Sequence, residues 1–516
     1  MLSLAALLTG LAQWWRTMVL PDAARFNFDA AEYALAGRAW LETGRLVTPF
    51  VHPATAGTVP GPPWPLLAGQ PLVPALDALA FAVLGRHPDA TIAPALLAFV
   101  LATLATAMLA GRLTGTSRAA MLGAGLVFAC APWSLRFATV GLTEMPFAAL
   151  LTATFALLWA LPERPRPMLL GLVLGLAHLT RPVLLPLLPA LFLGIVLLSP
   201  PRARLAALLR TLAVLLPIVA LASLLKALSG AGGAHEAGRY LLLNGTSPEF
   251  VVSRLNRMLT PPDGIAWLRA HPELFLAKIA RNLHASLYAM WTLSGRWPLP
   301  CAVIALLAAL RAPVPRARAF AFTVLAAAAL LLLLDAATVA DPRMLFPLFP
   351  VTIALAIAAL VRVTEWLGTG RRMAVTMAIA IAILVTLWPT ARAWRSPAPP
   401  EGPRERDWRG IGHAVRVMLP SEGIVASDAA PWIAWHTGHP ATLVPLTIDE
   451  LDTMPANLRP AAVVLTDEWL LARPGEDAWR TLFETRTPPP GWSFAGAASS
   501  GRLHAVVFVR TDRARL

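Results

Sequence analysis

PALLAFVLATLATAMLAGRLTG, residues 94–115, runs without a charge until Arg112 and then turns on threonine and glycine. A helix needs about 20 apolar residues to cross the hydrocarbon core of a bilayer, so this stretch reads as a membrane span with a basic end. Comparable runs recur upstream and downstream. About eleven candidate spans precede residue 395, near 2–20, 91–110, 119–137, 143–161, 168–183, 184–198, 211–228, 299–310, 320–340, 350–367 and 373–390. The chain of 516 residues is 57% hydrophobic and only 14% charged, against about 25% charged in soluble proteins. It reads as a polytopic α-helical membrane protein.

Orientation follows from arginines in short loops, which stay cytoplasmic. Arg112 and Arg118, Arg164 and Arg166, Arg202, Arg204 and Arg210, Arg311, Arg316 and Arg318, and Arg371 and Arg372 occupy every second loop. The alternate loops, 21–90, 138–142, 229–298 and 341–347, then face outward. The net charge of +14 is accounted for by these topology signals, so no nucleic-acid partner is implied. The first segment lacks a basic leader region and reads as a membrane anchor. Cys130 and Cys301 both fall in apolar runs, which gives neither a disulfide framework nor a thiolate metal site.

The spans belong to a domain expected over 1–392. A proline-rich linker, 393–408, follows, and from 409 to 516 the composition is that of a soluble domain. GIVASD (423–428), ATLVP (441–445), AAVVLT (461–466) and HAVVFVR (504–510) read as strands, with helices near 407–418, 447–453 and 476–484. An outward α/β domain is expected.

Within the first outward loop, FNFDAAEYALAGRAWLETG (26–44) is charged and helix-forming. Asp29 with Glu32 three residues on reads as a capping box, and Gly44 as the stop. Tyr33, Ala36 and Trp40 share one face, with Arg38, Glu42 and Arg45 roughly opposite, which suits a helix lying at the membrane surface. The apolar run Pro71–Leu84 is too short to span and reads as a second surface helix. Glu144 in FATVGLTEMPF and Arg343 in ADPRMLFPLFP stand at outward edges of spans.

At these residues the chain resembles the GT-C membrane glycosyltransferases, in the branch of the protein O-mannosyltransferases and the lipid A aminoarabinose transferase. FDAAEYALAGRAWLETG, QPLVPALDALAFAVLG, LTEMPFAALLTATFALLWAL, GLVLGLAHLTRPVLLPLLPALF and RMLFPLFPVTIALAIAAL follow one another in the family's order over most of residues 1–390. The resemblance implies Asp29 as the catalytic acid or base, Glu144 as a second carboxylate, and Arg181 and Arg343 as basic substrate-binding residues. Glu32 is the next acid in the first loop, where many relatives have adjacent acids. Gln70 stands where some have lysine, and Tyr33 completes the substrate-binding candidates.

The implied activity is a hexosyl- or pentosyltransferase that takes sugar from a polyprenyl-phosphate donor in the membrane to a lipid, glycan or protein acceptor outside. The phosphate leaves readily, so the protein must chiefly activate an acceptor hydroxyl and neutralise phosphate charge. Asp29 would be the base of an inverting displacement. Arginine suits phosphate because its planar fork donates two parallel hydrogen bonds. No cofactor is expected and no metal, since His52, His87, His271 and His284 lack metal-ligand spacing. The implied location is the bacterial inner or plasma membrane, with the C-terminal domain extracytoplasmic and membrane lipids as further partners. The rival is a transporter or flippase of a lipid-linked glycan, which calls for charges deep in several spans. Arg181 and Asp335 are the evident ones.

Overall fold

The computed structural model describes residues 2–18, 26–56, 60–66, 70–229, 239–293, 296–366, 371–395, 403–468 and 476–511. The body of the expected linker, 396–402, lies outside the described residues. Helices stand at all eleven candidate positions: α1 (Leu2–Met18), then, after the outer helices α2 (Phe28–Thr43) and α3 (Leu72–Leu84), α4 (Ile92–Leu113), α5 (Arg118–Cys130) with α6 (Pro132–Ala138), α7 (Glu144–Ala160), α8 (Pro167–Thr180), α9 (Leu184–Leu198) and α10 (Arg204–Leu228). After α11 (Pro272–Leu293) come α12 (Pro298–Arg311), α13 (Pro315–Ala337), α14 (Phe349–Trp366) and α15 (Arg371–Arg395).

Among the described residues, four helical segments are long and apolar enough to cross a membrane, Pro88–Leu113, Pro201–Leu228, Pro315–Ala337 and Pro342–Thr364. The pairs α5–α6 and α11–α12, each bent at a break, raise this to six. This is the architecture of a multi-pass membrane protein.

Proline opens α6, α8, α12 and α13, where its missing N–H and preset φ cost nothing. In lipid, helices associate by close backbone approach at small residues. A Cβ on Gly171 would lie 2.3 Å from the carbonyl oxygen of Thr211, and one on Gly175 would lie 2.5 Å from Ile218, which fixes α8 against α10. The other side of α10 shows Leu205, Leu209, Leu216 and Leu224 outward, as a lipid-facing helix should. By contrast α14 is buried on nearly all sides and forms the centre of the bundle.

The 229–298 segment, read as a loop, contains the 22-residue helix α11. Lys278, Asn282 and Ser286, spaced four apart, form a polar stripe on it. Lys278 donates to the carbonyls of Leu242 and Ala337, Asn282 to that of Ala336, and Ser286 to Asp335. Two of these bonds satisfy the Ala336 and Ala337 carbonyls left open at the end of α13.

The capping box expected at Asp29 is not formed. Asn27 is the N-cap, its side chain accepting from the Ala30 amide at 2.9 Å. Both residue types cap well, and the cap sits two residues before the aspartate. Gly44 closes α2 at φ 67°. Close packing of α2 on α3 centres on Gly37, whose position leaves no space for a Cβ beside Asp77 and Pro74.

Residues 405–510 hold α16 (Glu405–Met418), α17 (Ala430–Thr437) and α18 (Asp477–Thr485) around a mixed sheet. The strands in chain order are β1 (Val47–Thr48), β2 (Phe50–Val51), β3 (Trp64–Pro65), β4 (Ile424–Ser427), β5 (Ala441–Leu443), β6 (Pro460–Thr466), β7 (Trp492–Ser500) and β8 (Leu503–Arg510). The sheet has the order β2-β5-β4-β6-β8-β7, with β2, β5, β4 and β6 parallel. Its edge strand β2 comes from the first loop, and β1 pairs separately with β3. The sequence reading missed β7 and the contribution of β2.

The carboxyl edge of the parallel strands rests on the outer parts of the helical body. Buried Arg257 donates to the carbonyls of Val444 and Pro445, just beyond β5, and pairs with Glu476 at 2.5 Å. Arg38 of α2 donates to the carbonyls of Ala434 and Trp435 and lies over the Trp435 ring. A cation at the carbonyl end of α17 is favourable.

Candidate active site

Four residues from four distant stretches meet at the ends of helices. Asp29 is in the first turn of α2, and Glu144 begins α7, where the helix dipole favours a negative charge. Arg181 ends α8, in extended backbone before Pro182, as expected of a residue preceding proline. Arg343 lies on the short helix Pro342–Leu345, whose cap Asp341 accepts from the Arg343 amide at 2.9 Å. Asp341 is anchored in turn, because its own amide donates to buried Asp335 at 3.0 Å.

Arg343 bridges both acids. Its Nη2 lies 2.6 Å from Asp29 Oδ2, and its Nε donates to Glu144 Oε1 at 2.9 Å. The Nη1 of Arg181 lies 3.2 Å from the same Glu144 oxygen, and its Nη2 meets Met344 Sδ at 3.0 Å. The guanidinium therefore serves the cluster rather than carbonyls freed by Pro182. Glu144 is fully buried while the Asp29 side chain is 39% exposed. The two carboxylates thus differ in access: one is a structural counter-charge, the other opens outward.

Tyr33, on α2, is electrostatically coupled to the cluster. Burial first, then the carboxylates Asp29 and Glu32, hold its phenol protonated well above the usual range, so it can donate a hydrogen bond. Glu32 is not in the network and faces His52, with 3.6 Å between Oε2 and Nε2. Gln70 is buried and, among the described residues, makes no hydrogen bond to the cluster.

A cavity of about 310 Å³ opens over Asp29 and Arg343 and is walled by Asn27, Phe28, Pro403, Trp408, Trp432 and Glu468. Trp408 and Trp432 stack at 5.1 Å, and Trp432 donates to the Phe26 carbonyl at 3.1 Å. The C-terminal segment thus forms one side of the site. Nearby, Asp428 is engaged with Thr466, and Trp435 packs on Phe26 and Arg38. His436 is buried beside Glu405.

The fold has counterparts among solved structures. The ArnT of Cupriavidus metallidurans with undecaprenyl phosphate bound superposes with a TM-score of 0.52 at 14% identity, over 98% of this chain and 97% of that one. The Archaeoglobus fulgidus oligosaccharyltransferase gives 0.58 at 15% identity over 89% and 67%. The mycobacterial arabinofuranosyltransferase AftD gives 0.52 at 17% identity over 98% of this chain and 39% of that one. The chain has the GT-C fold. In sequence, no family model and no curated protein matches it.

Arg136 and, in the cavity wall, Asn27, Phe28, Trp408, Trp432 and Glu468 escaped the sequence reading. Arg136 of α6 is exposed, lies over the Trp133 ring at 5.2 Å, and feels the charges of Arg343 and Asp341. Among the described residues it forms no ion pair. A lone arginine just before the short outward turn at 138–142 was the available signal. Glu468 follows a strand, where sequence offers no hint that a cavity lies beside it.

Proposed function

We propose that the protein is an integral membrane glycosyltransferase that transfers a sugar from a polyprenyl phosphate to an acceptor hydroxyl at the outer face of the bacterial cell membrane. All eleven helices, the short ones included, would cross the membrane, with the segment beyond residue 409 outside as a domain of its own. The observation that carries this reading is the Asp29–Arg343–Glu144–Arg181 cluster, assembled where apolar helices end and opening into a cavity. A lipid donor needs such a place, because its tail stays in hydrocarbon while its phosphate reaches the interface. The ArnT structure contains undecaprenyl phosphate, which supports a donor of that class here.

In the proposed reaction the acceptor oxygen attacks the anomeric carbon as the bond from that carbon to the phosphate oxygen breaks. The bonding pair leaves with the phosphate, the proton passes to Asp29, and the anomeric centre inverts. Asp29 suits the base because one oxygen holds Arg343 while the side chain remains open to the cavity. Arg343, Arg181 and unpaired Arg136 would receive the phosphate, and Tyr33 would donate to it or to the sugar. Glu144 would keep the arginines in place. Glu32, outside the network, would be a reserve carboxylate, and Gln70 a neutral contact to the donor.

The test is transfer from labelled polyprenyl-phosphate hexoses and pentoses by membranes holding wild type or Asp29→Asn at matched protein levels. Transfer by the wild type that falls by about 10²–10⁴ in the mutant is expected for loss of a general base. Equal transfer by both would remove Asp29 from the chemistry.

A further inference from the structure

We propose that the cavity over Asp29 is a binding subsite for a neutral saccharide, so that the acceptor is a glycan hydroxyl. The word acceptor rests on the transferase reading. The saccharide subsite stands on its own geometry.

The topology points to it first. From β4 the chain passes through α17 to β5 on one side, then crosses to β6 on the other side of β4. Beyond β6 it continues away towards β8 and β7. The carboxyl ends of β4 and β6 therefore send the chain in opposite directions, and in open α/β sheets ligands bind in the crevice outside such a switch point. Asp428, just beyond β4, bridges it by accepting from the Thr466 amide at 2.9 Å and from its hydroxyl at 2.8 Å. Trp432 on α17 and Glu468 beyond β6 flank the crevice, and Asp29 closes its far side.

The lining gives the chemistry. A sugar ring has an apolar face of C–H groups and a polar rim of hydroxyls. Phe28, Trp408, Trp432 and Pro403 supply apolar wall, while Asn27, Asp29 and Glu468 supply polar groups around it. Small-molecule sites share this make-up, apolar walls with a few convergent polar groups, and the cavity of about 310 Å³ is within their size range of about 300–1,000 Å³. The charge disfavours an anionic acceptor: Glu468 and the open side of Asp29 give the cavity a negative lip, while Arg343 is held between two carboxylates and, in the transferase reading, turned to the donor phosphate. A second cavity of about 390 Å³, edged by Arg16, Asp89, Arg404, Glu405 and Arg406, shares Pro403 and Trp408 with the first.

The test uses the full chain in lipid nanodiscs without any donor. Binding is read on immobilised neutral hexose and pentose oligosaccharides, on their phosphorylated counterparts and on peptides, for wild type, Glu468→Gln and Glu468→Lys. Glu468 is half-exposed after its strand, and an unchanged unfolding midpoint will show that the variants are folded. Retention of wild type by neutral oligosaccharides, weakened about tenfold in Glu468→Gln, with Glu468→Lys turning towards the phosphorylated set, is the expected result. Wild type that ignores every neutral oligosaccharide, or binds them as Glu468→Gln does, or prefers peptides, overturns it. Because no donor is present, a failure of the transferase reading leaves this outcome readable.

Discussion

Glu144 Oε1 lies 2.9 Å from both Nε and Nη2 of Arg343, and the Glu144 side chain is wholly buried. A carboxylate in that position must keep a cation, since a buried unpaired charge is far costlier than the pair is favourable. Arg343 is thereby fixed by one acid while it turns its outer nitrogen to the other.

Because Arg181 still lies 3.2 Å from Glu144, Arg343→Ala should destabilise the protein by less than the roughly 3–5 kcal/mol of a fully broken buried pair, and adding Glu144→Gln should restore part of that loss. Unfolding in detergent, followed for both singles and the double mutant, measures the coupling. Independent, additive losses would show that the pair does not set the arginine's position.

Asn27 and Asp29 separate capping from chemistry. Asn27→Ala should cost about 1 kcal/mol of stability and lower transfer far less than the loss of Asp29 does, since it removes a cap and one contact at the cavity edge. Asp29→Asn should leave stability nearly unchanged and abolish transfer. Thermal unfolding and the transfer assay, run on both variants, give the comparison.

Arg257 and Glu476 are each 4% exposed and pair at 2.5 Å. Arg257→Ala should cost about 3–5 kcal/mol, and limited proteolysis should then release the sheet from the helical body more quickly than in wild type.

The pH profile should carry the mark of Asp428. Burial is the main cause that raises its carboxyl from 3.8 to about 7, against hydrogen bonds from Thr466 that lower it. The folded state then binds the proton more tightly than the unfolded chain. The stability this contributes is complete below about pH 4 and is lost as pH rises to about 7. Asp428→Asn, which keeps an acceptor for the Thr466 amide, should lack that decline. Unfolding midpoints between pH 5 and 8 should diverge from wild type by on the order of a few kcal/mol at the alkaline end.

A side chain at Gly37 should separate the two outer helices, because a Cβ there would stand 2.8 Å from that of Asp77 and 3.0 Å from the Pro74 carbonyl oxygen. Gly37→Val should cost about 1–3 kcal/mol, read from the same unfolding measurement.

The helical body was legible because a lipid-crossing helix leaves an unbroken apolar run, as residues 94–111 do. Glu144 and Arg343 were legible as charges at the ends of such runs, Arg181 as a charge inside one and Asp29 as the start of a charged helix in the first loop, and the structure brings all four together. The cap was not, since FNFD offers two good capping residues and the choice depends on how α2 packs. Nor was β2, whose two residues have no periodicity to read and depend on a partner strand far along the chain. Trp432 and Glu468 become site residues only through the crossing of the chain between β5 and β6, which single-sequence patterns do not encode.

Thr442 reaches back to the carbonyl of Val51 across 391 residues. During synthesis, Phe50 and Val51 leave the ribosome long before the strand that receives them exists. The wall around Asp29 can close only after β4, β5 and β6 have been made and delivered to the same side of the membrane. A nascent or truncated chain therefore carries Asp29 and Arg343 without the wall that Trp408, Trp432 and Glu468 supply, and that side of the cavity is completed only when the last strands are in place.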